Sequence, residues 1–366
     1  MVSCEERSVG MIDRLVSVFS RYIFFEERAY YHLCPIYVLM SHIYKAFDEI
    51  PYLLIYGPRG YGKSRLGAIL KGLCQNGQFS SDITPALLMR LIEKEKTGIT
   101  VILDEAEKFP DLMLRILRSG YRRDGRTGRW NIKRDDAEWF ETFSPKILIN
   151  LYGLNEPMLE SRVIPVPMVK SQIPLQRFRA RVVEKEFEEI QTLIDSFVDE
   201  SGEVIEKEYN TFQPVEGLSD RDLEIWTPIL TIASVLDLTL PEPFLKEEML
   251  ELAKKIIFQT KRTQLIGNRD AQILAGTWAF IEHTDPVDIG GSHYYVGEDL
   301  CTSIKDRWRI PGLRLETVSQ TLKRFKIILD RRRHRLSRKR QRECYLLDTE
   351  RLKKLTSEYF EEGENL

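Results

Sequence analysis

Residues 53 to 66 read LLIYGPRGYGKSRL. An apolar run enters a glycine-rich turn and leaves it in Lys-Ser-Arg-Leu, a helix start. Within it, Gly57, Pro58, Arg59, Gly60, Tyr61, Gly62, Lys63 and Ser64 fit G-x-x-x-x-G-K-[ST], with Arg65 following on the first helical turn. Glycines let backbone amides turn inward as an anion nest, and a helix beginning near Lys63 adds its positive end. In this pattern Lys63 reaches the β/γ-phosphates of a nucleotide and the Ser64 hydroxyl ligates Mg²⁺. The bland alternative is a glycine-rich turn that matches by accident. What sets it aside is context: strand, loop, helix, present here on both sides.

A second motif lies some forty residues on. ITVILDEAE begins as a buried strand, Ile99 to Leu103, and ends in Asp104-Glu105. Asp104 is placed to hold Mg²⁺ through water and Glu105 to polarise an attacking water. The competing reading has both residues capping the helix EAEKFPDLMLRILRSG. A third apolar strand, KILIN, puts Asn150 at its carboxyl end, where it can sense the γ-phosphate or begin the turn into LYGLNEP. Open parallel sheets bind ligands at the carboxyl ends of their strands. Together the motifs predict an α/β nucleotide-binding core.

Around that core the chain divides by pattern. Residues 1–50 read as a helical segment and 51–173 as the nucleotide-binding core. SRLGAILKGLCQNG is a helix, FSSDITP a polar loop and ALLMRLIEKEKTG a second helix. Between them and KILIN, Arg122, Arg123, Arg126, Arg129, Lys133 and Arg134 surround Asp-Gly and Thr-Gly turns, which reads as a basic hairpin. Arg162 precedes a short apolar strand, positioned to reach a neighbouring subunit's nucleotide. Residues 174–260 read as a helical lid: a charged helix to about residue 200, a polar connection SGEVIEKEYNTFQPVEG, and a helix capped by Ser219 or Asp220. That last helix has Arg221 on its first turn and Trp226, Ile229, Leu230 and Ala233 as its core stripe.

Residues 261–366 differ in composition. A helix pair followed by RRRHRLSRKRQR, residues 331–342, and then YLLDTERLKKL is the pattern of a winged helix with a basic tip between two short strands. Glu316 to Phe325 is the recognition helix in that reading, with Thr317, Ser319, Gln320 and Lys323 outward. Arg331, Arg332, Arg333 and Arg338 belong to the wing, since clustered cations are what phosphate backbones reward. The alternative is a solvated loop.

The whole-chain properties exclude other classes. At 366 residues, 43% hydrophobic and 30% charged, the chain has material for two or three soluble domains. No apolar run approaches the ~20 residues of a membrane span, and MVSCEERSVGM lacks the features of a secretory signal. Cys4, Cys34, Cys74, Cys301 and Cys344 are scattered without metal-ligand spacing, so they read as ordinary thiols in a reducing cytoplasm.

GPRGYGKS, ITVILDE, KILIN and ESR occur in the order of the phosphate loop, Walker B, sensor-1 strand and arginine-finger segment, and the chain resembles the AAA+ P-loop ATPases. It is similar in particular to the modules of plasmid, phage and archaeal mobile elements linked to replication primases and helicases. The likeness runs through AFDEIPYLLIYGPRGYGKSRL, SSDITPALLMRLIEKEKTGITVILDEAE, LRSGYRRDG and LSDRDLEIWTPILTIA, about residues 30 to 240. It implies ATP and Mg²⁺ at Lys63, Ser64, Asp104 and Glu105, Asn150 as sensor 1, Arg162 as arginine finger and Arg221 as sensor 2. Arg115, Arg118, Arg122 and Arg123 compete for the last two roles. The resemblance further implies a homo-oligomeric ring, commonly a hexamer, with nucleotide at subunit interfaces and DNA as partner. No primase or nuclease constellation is present in the chain, so any primase activity would come from a partner. The leading reading is an ATP-driven helicase or translocase; the runner-up is an ATP-dependent DNA-binding switch, loader or regulator without unwinding activity.

Overall fold

The computed structural model describes residues 4–356 apart from 96, 107, 132–134, 155, 268 and 338–339, and it divides into two compact units, Met1–Lys254 and Lys255–Leu366. In the first, α1 (Cys4–Tyr22) and α2 (Tyr30–Ile43) precede β1 (Tyr52–Tyr56), α3 (Lys63–Leu73), β2 (Gln78–Ser80), α4 (Pro85–Lys94), β3 (Val101–Leu103) and α5 (Asp111–Ser119). Then come β4 (Arg126–Asn131) and β5 (Asp136–Glu141), β6 (Lys146–Asn150), α6 (Pro157–Glu160), β7 (Val163–Pro167), α7 (Ala180–Asn210) and α8 (Asp220–Asp237). Helix α9 (Leu245–Gly267) runs across the division between the units.

Five of these strands form a parallel sheet in the order β2-β3-β6-β1-β7. The central pair, YLLIY and KILIN, is buried almost throughout, so neither segment alternates: a strand covered on both faces reads as an unbroken apolar run. Strand β7 does alternate, and it carries Pro165 and Pro167. Prolines lack the donor a central strand needs, which suits an edge. The placement of β6 between β1 and β3 matters most. It brings Asn150 between the loop that follows Tyr56 and the turn that follows Leu103.

Several local readings change. The polar loop FSSDITP contains β2, whose three residues pair with Val101–Leu103. Too short and too exposed to show a pattern, it is held by its neighbour. The helix expected to start at Glu105 starts at Asp111 behind Pro110, so Asp104 and Glu105 cap nothing. Helix α7 runs on to Asn210 through the supposed polar connection. Its buried residues Val183, Phe187, Ile190, Ile194, Phe197, Ser201 and Ile205 keep one stripe at three- and four-residue spacing, and Ser201 hides that continuity from a hydropathy reading. Ser219 is the N-cap of α8, in a capping box with Asp222. Helices α7 and α8 pack on one another and on α2, and α7 also packs on α1 and α3.

Lys146, the first residue of β6, is fully buried. Its Nζ donates to the carbonyls of Thr142 (2.8 Å), Ser144 (3.0 Å) and Gly120 (3.3 Å) and to Ser144 Oγ (3.0 Å). Burial pushes its pKa well below the usual lysine range, and the ring of oxygens answers that cost. The side chain thus ties the end of α5 to the base of the β4–β5 hairpin. Lys146→Met should strand those carbonyls in the core and lower stability by about 3 kcal/mol or more, read as a lower urea midpoint at unchanged m-value.

The second unit holds α10 (Arg269–His283), β8 (Val287–Asp288), β9 (His293–Val296), α11 (Gly297–Trp308), α12 (Leu315–Arg324), β10 (Ile328–Ser337), β11 (Arg340–Leu347) and α13 (Thr349–Thr356). The four strands form an antiparallel sheet ordered β10-β11-β9-β8. Leu300, Ile304, Val318, Leu322, Tyr345 and Leu352 build its core. The strands flanking the basic tip are ten and eight residues long rather than short, so Arg331, Arg332 and Arg333 stand along a strand. Ser319 is 5% exposed and faces the core rather than outward, because the stripe of α12 takes Ser319 with Val318 and Leu322. Among the described residues no helix is long and apolar enough to cross a membrane. Cys34, Cys74, Cys301 and Cys344 are buried free thiols whose pKa values burial raises.

Candidate functional site

The loop between β1 and α3 is shaped by its glycines. Gly57, Gly60 and Gly62 have φ of 143°, 81° and 93°. At Gly57 a Cβ would also lie 2.4 Å from the Met168 carbonyl oxygen, so no other residue fits. Gly62 is the N-cap of α3 and offers no side chain to its amides; the first helical bond is Leu66 N to Gly62 O, 2.9 Å. The amides of Ser64 and Arg65 therefore have no partner within the helix. Lys63 Nζ arches back over the loop and donates to Gly57 O (2.7 Å) and Pro58 O (3.0 Å).

Opposite stands Asp104, one residue beyond β3. Ser64 Oγ donates to its Oδ2 at 3.1 Å, and the Glu105 amide donates to its Oδ1 at 3.0 Å. Glu105 takes the left-handed conformation, φ 57°, and is exposed. That conformation is costly for a residue with a side chain and is found where geometry is constrained. Asn150 is 2% exposed. Its amide donates to Gly153 O (2.8 Å) and Ala106 O (3.4 Å), and its Oδ1 accepts from the Gly153 amide (2.9 Å). It begins the turn into LYGLNEP and at the same time ties that turn to the one carrying Asp104.

A cleft of about 320 Å³ opens beside the loop, with Tyr22, Phe24, Tyr61, Arg65, Met168 and Ile173 among its lining residues. Arg65 Nη1 anchors one wall by donating to Tyr22 O at 3.1 Å. Sequence reading finds the loop side of this cleft through the glycine motif. It misses Tyr22, Phe24 and residues 168–175, which carry no motif and are assembled only by folding.

Arg162 and Arg221 meet at the other end of the sheet. Each guanidinium Cζ lies 4.7 Å from the centroid of the Tyr121 ring, and Arg221 Nη1 donates to Tyr121 Oη at 2.8 Å. Arg221 also pairs with Glu224. Tyr121 O accepts from Ile50, and Arg162 O accepts from Tyr52, so this cluster adjoins the amino end of β1. The glycine loop leaves the carboxyl end, a strand length of roughly 15 Å away. Arg221, expected as sensor 2, stands with Arg162 about a strand length from the glycine loop of its own chain. Arg162 Nε is buried without a hydrogen-bond partner, and burial followed by the neighbouring Arg221 lowers its pKa. Arg118 is held by Glu156 at 2.7 Å.

The basic hairpin exists, as the pair β4–β5. Thr127-Gly128 lies within β4 rather than at a turn, because Gly128 pairs with Trp139. Arg122 pairs with Glu49 (3.5 Å) and Asp124 (3.6 Å), Arg123 with Asp48 (3.7 Å), and Arg129 with Glu138 (2.9 Å). Arg126 is exposed. Lys133 and Arg134 lie outside the described residues.

In the second unit Gln320 and Lys323 are exposed on α12 and Thr317 is half-buried. Arg331 pairs with Glu343 and Arg332 with Asp330, the latter at 3.0 Å. Arg333 is exposed and has no ion pair among the described residues; Arg338 lies outside them. If this surface meets a duplex, Arg333→Ala should lower the slope of log affinity against log salt by about one unit. Arg331→Ala and Arg332→Ala should lower it less, because each arginine must first leave a carboxylate. Fluorescence anisotropy across a salt series measures all three.

Among the described residues no group of three or more His, Cys, Asp or Glu is placed to hold a metal ion. The Ser64–Asp104 pair instead offers one hydroxyl and one carboxylate oxygen, donors of the type that hard cations take.

No protein-family model matches the chain, and no curated protein matches it. Among solved structures, the active helicase SCCmec type IV Cch aligns with 96% of this chain and 71% of its own, at 11% identity and a TM-score of 0.38. The apo NrS-1 C-terminal region aligns with 93% of this chain and 75% of its own, at 12% identity and a TM-score of 0.41. An inhibitor-bound JCV helicase covers 74% and 71%, at 12% identity and a TM-score of 0.30. Likenesses at this level assign no activity; that has to come from the residues of the site itself.

Proposed function

We propose that the chain is an AAA+ P-loop ATPase that acts on DNA as a motor, a replicative helicase or translocase of a mobile genetic element. The observation that carries this reading is the Ser64–Asp104 contact of 3.1 Å beside Lys63, at the first turn of α3. A triphosphate would lie over Gly57–Ser64, with the Tyr22–Phe24 cleft taking the base. Ser64 and Asp104 would hold Mg²⁺, which would supply neutralisation of the phosphate charge. Glu105 orients and polarises the attacking water, and Asn150 holds the Asp104 turn in place. The strand order β2-β3-β6-β1-β7 supports the reading, since it sets the Asn150 strand between the two motifs.

Arg162 and Arg221, remote from their own loop, are the pair that a neighbouring subunit would receive. The working assembly is accordingly a ring, with six subunits the natural number, in the cytoplasm. The second unit, read as a winged helix, contacts DNA through Thr317, Gln320, Lys323 and Arg333. ATP hydrolysis measured with no DNA, single strands and duplex, with strand displacement in the same tube, tests the proposal. DNA-stimulated hydrolysis with displacement is the expected result. Hydrolysis and binding without displacement or translocation would select the switch or loader; no hydrolysis under any condition would overturn the ATPase reading.

A further inference from the structure

The β4–β5 hairpin does not offer its arginines as the sequence suggests. Arg122, Arg123 and Arg129 are committed to carboxylates, and Arg129 also lies over Phe140, 5.0 Å from its centroid. What the hairpin presents instead is two indoles: Trp130 is 61% exposed and Trp139 64%. Strand alternation puts Arg126, Gly128 and Trp130 on one face with Trp139 and Glu141, and Thr127 and Arg129 on the other with Glu138 and Phe140. Thr127 and Phe140 are buried, so the indole face is the outward one.

Gly128 explains how Trp139 sits. A Cβ at position 128 would lie 3.0, 3.1 and 3.2 Å from three carbons of that ring. The indole thus rests on bare backbone, with most of the residue in solvent. The ordinary reason for two tryptophans on neighbouring strands is a cross-strand ring pair that stabilises the hairpin. Here Trp130 opposes Ala137 and Trp139 opposes Gly128, and among the described residues no ring contact joins the indoles. Diagonal neighbours of this kind stand about 7–8 Å apart.

We infer that this face binds single-stranded nucleic acid by stacking unpaired bases on Trp130 and Trp139, with Arg126 at the phosphate backbone. The inference rests on the DNA reading above and changes its chemistry at the hairpin. Base–aromatic stacking tolerates any sequence and is a major part of single-strand affinity. Arg126 is exposed and without an ion pair among the described residues. Glu141, opposite it in the ladder, keeps the face from being strongly cationic, which leaves stacking as the leading contribution. A duplex, whose bases are already stacked, gains little from such a surface.

The test uses the full chain and a labelled twenty-residue oligo(dT), followed by anisotropy and by quenching of tryptophan fluorescence. Trp130→Ala and Trp139→Ala should each weaken binding about 5- to 100-fold, with the salt slope unchanged. Trp→Phe at both positions should keep affinity within a few-fold and lose most of the quenching. Arg126→Ala should lower the salt slope by about 0.7. An abasic strand of equal length should bind the wild type as weakly as oligo(dT) binds the double alanine variant, and nucleotide affinity should stay constant as the folding control. If the double alanine variant binds oligo(dT) like wild type, stacking is overturned while the DNA reading stands. If wild-type protein fails to bind oligo(dT) at about 50 mM salt, both fall. Loss of self-association in the alanine variants without loss of oligo(dT) affinity would assign the face to a second copy of the chain and overturn the inference.

Discussion

Lys63→Ala should weaken ATP binding by about 100-fold or more, while Glu105→Gln should bind ATP normally and hydrolyse it about 10²–10⁴ times more slowly. The two substitutions separate the two halves of the site. Lys63 Nζ, now donating to Gly57 O and Pro58 O, is the ammonium poised over the loop, and a hydrogen bond to a charged group is worth up to about 3 kcal/mol. Losing it removes ground-state affinity. Glu105 contributes a carboxylate held in a left-handed turn, where its backbone N–H donates to Asp104 Oδ1. An amide keeps the size of the side chain and the backbone geometry but cannot take up the proton of water, and general-base assistance is worth about 10²–10⁴-fold. Fluorescent-nucleotide titration and phosphate release measure the two effects. Equal nucleotide affinity in Lys63→Ala and wild type would sink the phosphate-loop reading.

Arg162→Ala and Arg221→Ala should each leave ATP binding nearly intact and lower hydrolysis by about 10³-fold or more, as arginines supplied across an interface do. The decisive measurement is mixing. A subunit carrying Glu105→Gln still offers both arginines, and a subunit carrying Arg221→Ala still offers Glu105. An interface between them is complete if Arg221 acts on the neighbour's nucleotide, and activity returns. If Arg221 acted on its own nucleotide, every site in the mixture would lack one group and none would return. The shared contact with Tyr121, 4.7 Å from each guanidinium, predicts that Arg162 and Arg221 behave alike. Rescue with Arg162→Ala but not with Arg221→Ala would confine the interface role to Arg162. No rescue with either, in a protein that stays monomeric with ATP and DNA present, would remove the ring.

How much of the fold and site is legible in the chain depends on how local each feature is. The glycine loop GPRGYGKS is contiguous, so it names its own residues and fixes its own conformation through glycines. The strands YLLIY and KILIN announce themselves because a doubly covered strand has to be apolar at every position. Strand β2 does not, since an edge of three residues is stabilised by its partner and not by its own composition. Helix α7 reads as ending near residue 200 because its buried stripe passes through Ser201, a residue that only packing reveals as interior.

The sequence by itself determined the glycine loop and the central strands, because each rests on neighbours along the chain. Only the tertiary structure decided that Ser64 and Asp104 touch, that Arg221 stands with Arg162 instead of with Lys63, that Arg122, Arg123 and Arg129 are already paired, and that Trp130 and Trp139 face outward. Those outcomes depend on strand order and on which charge finds which across tens of residues. A residue type states what a side chain can do, while distance and solvent exposure decide whether it is free to do it.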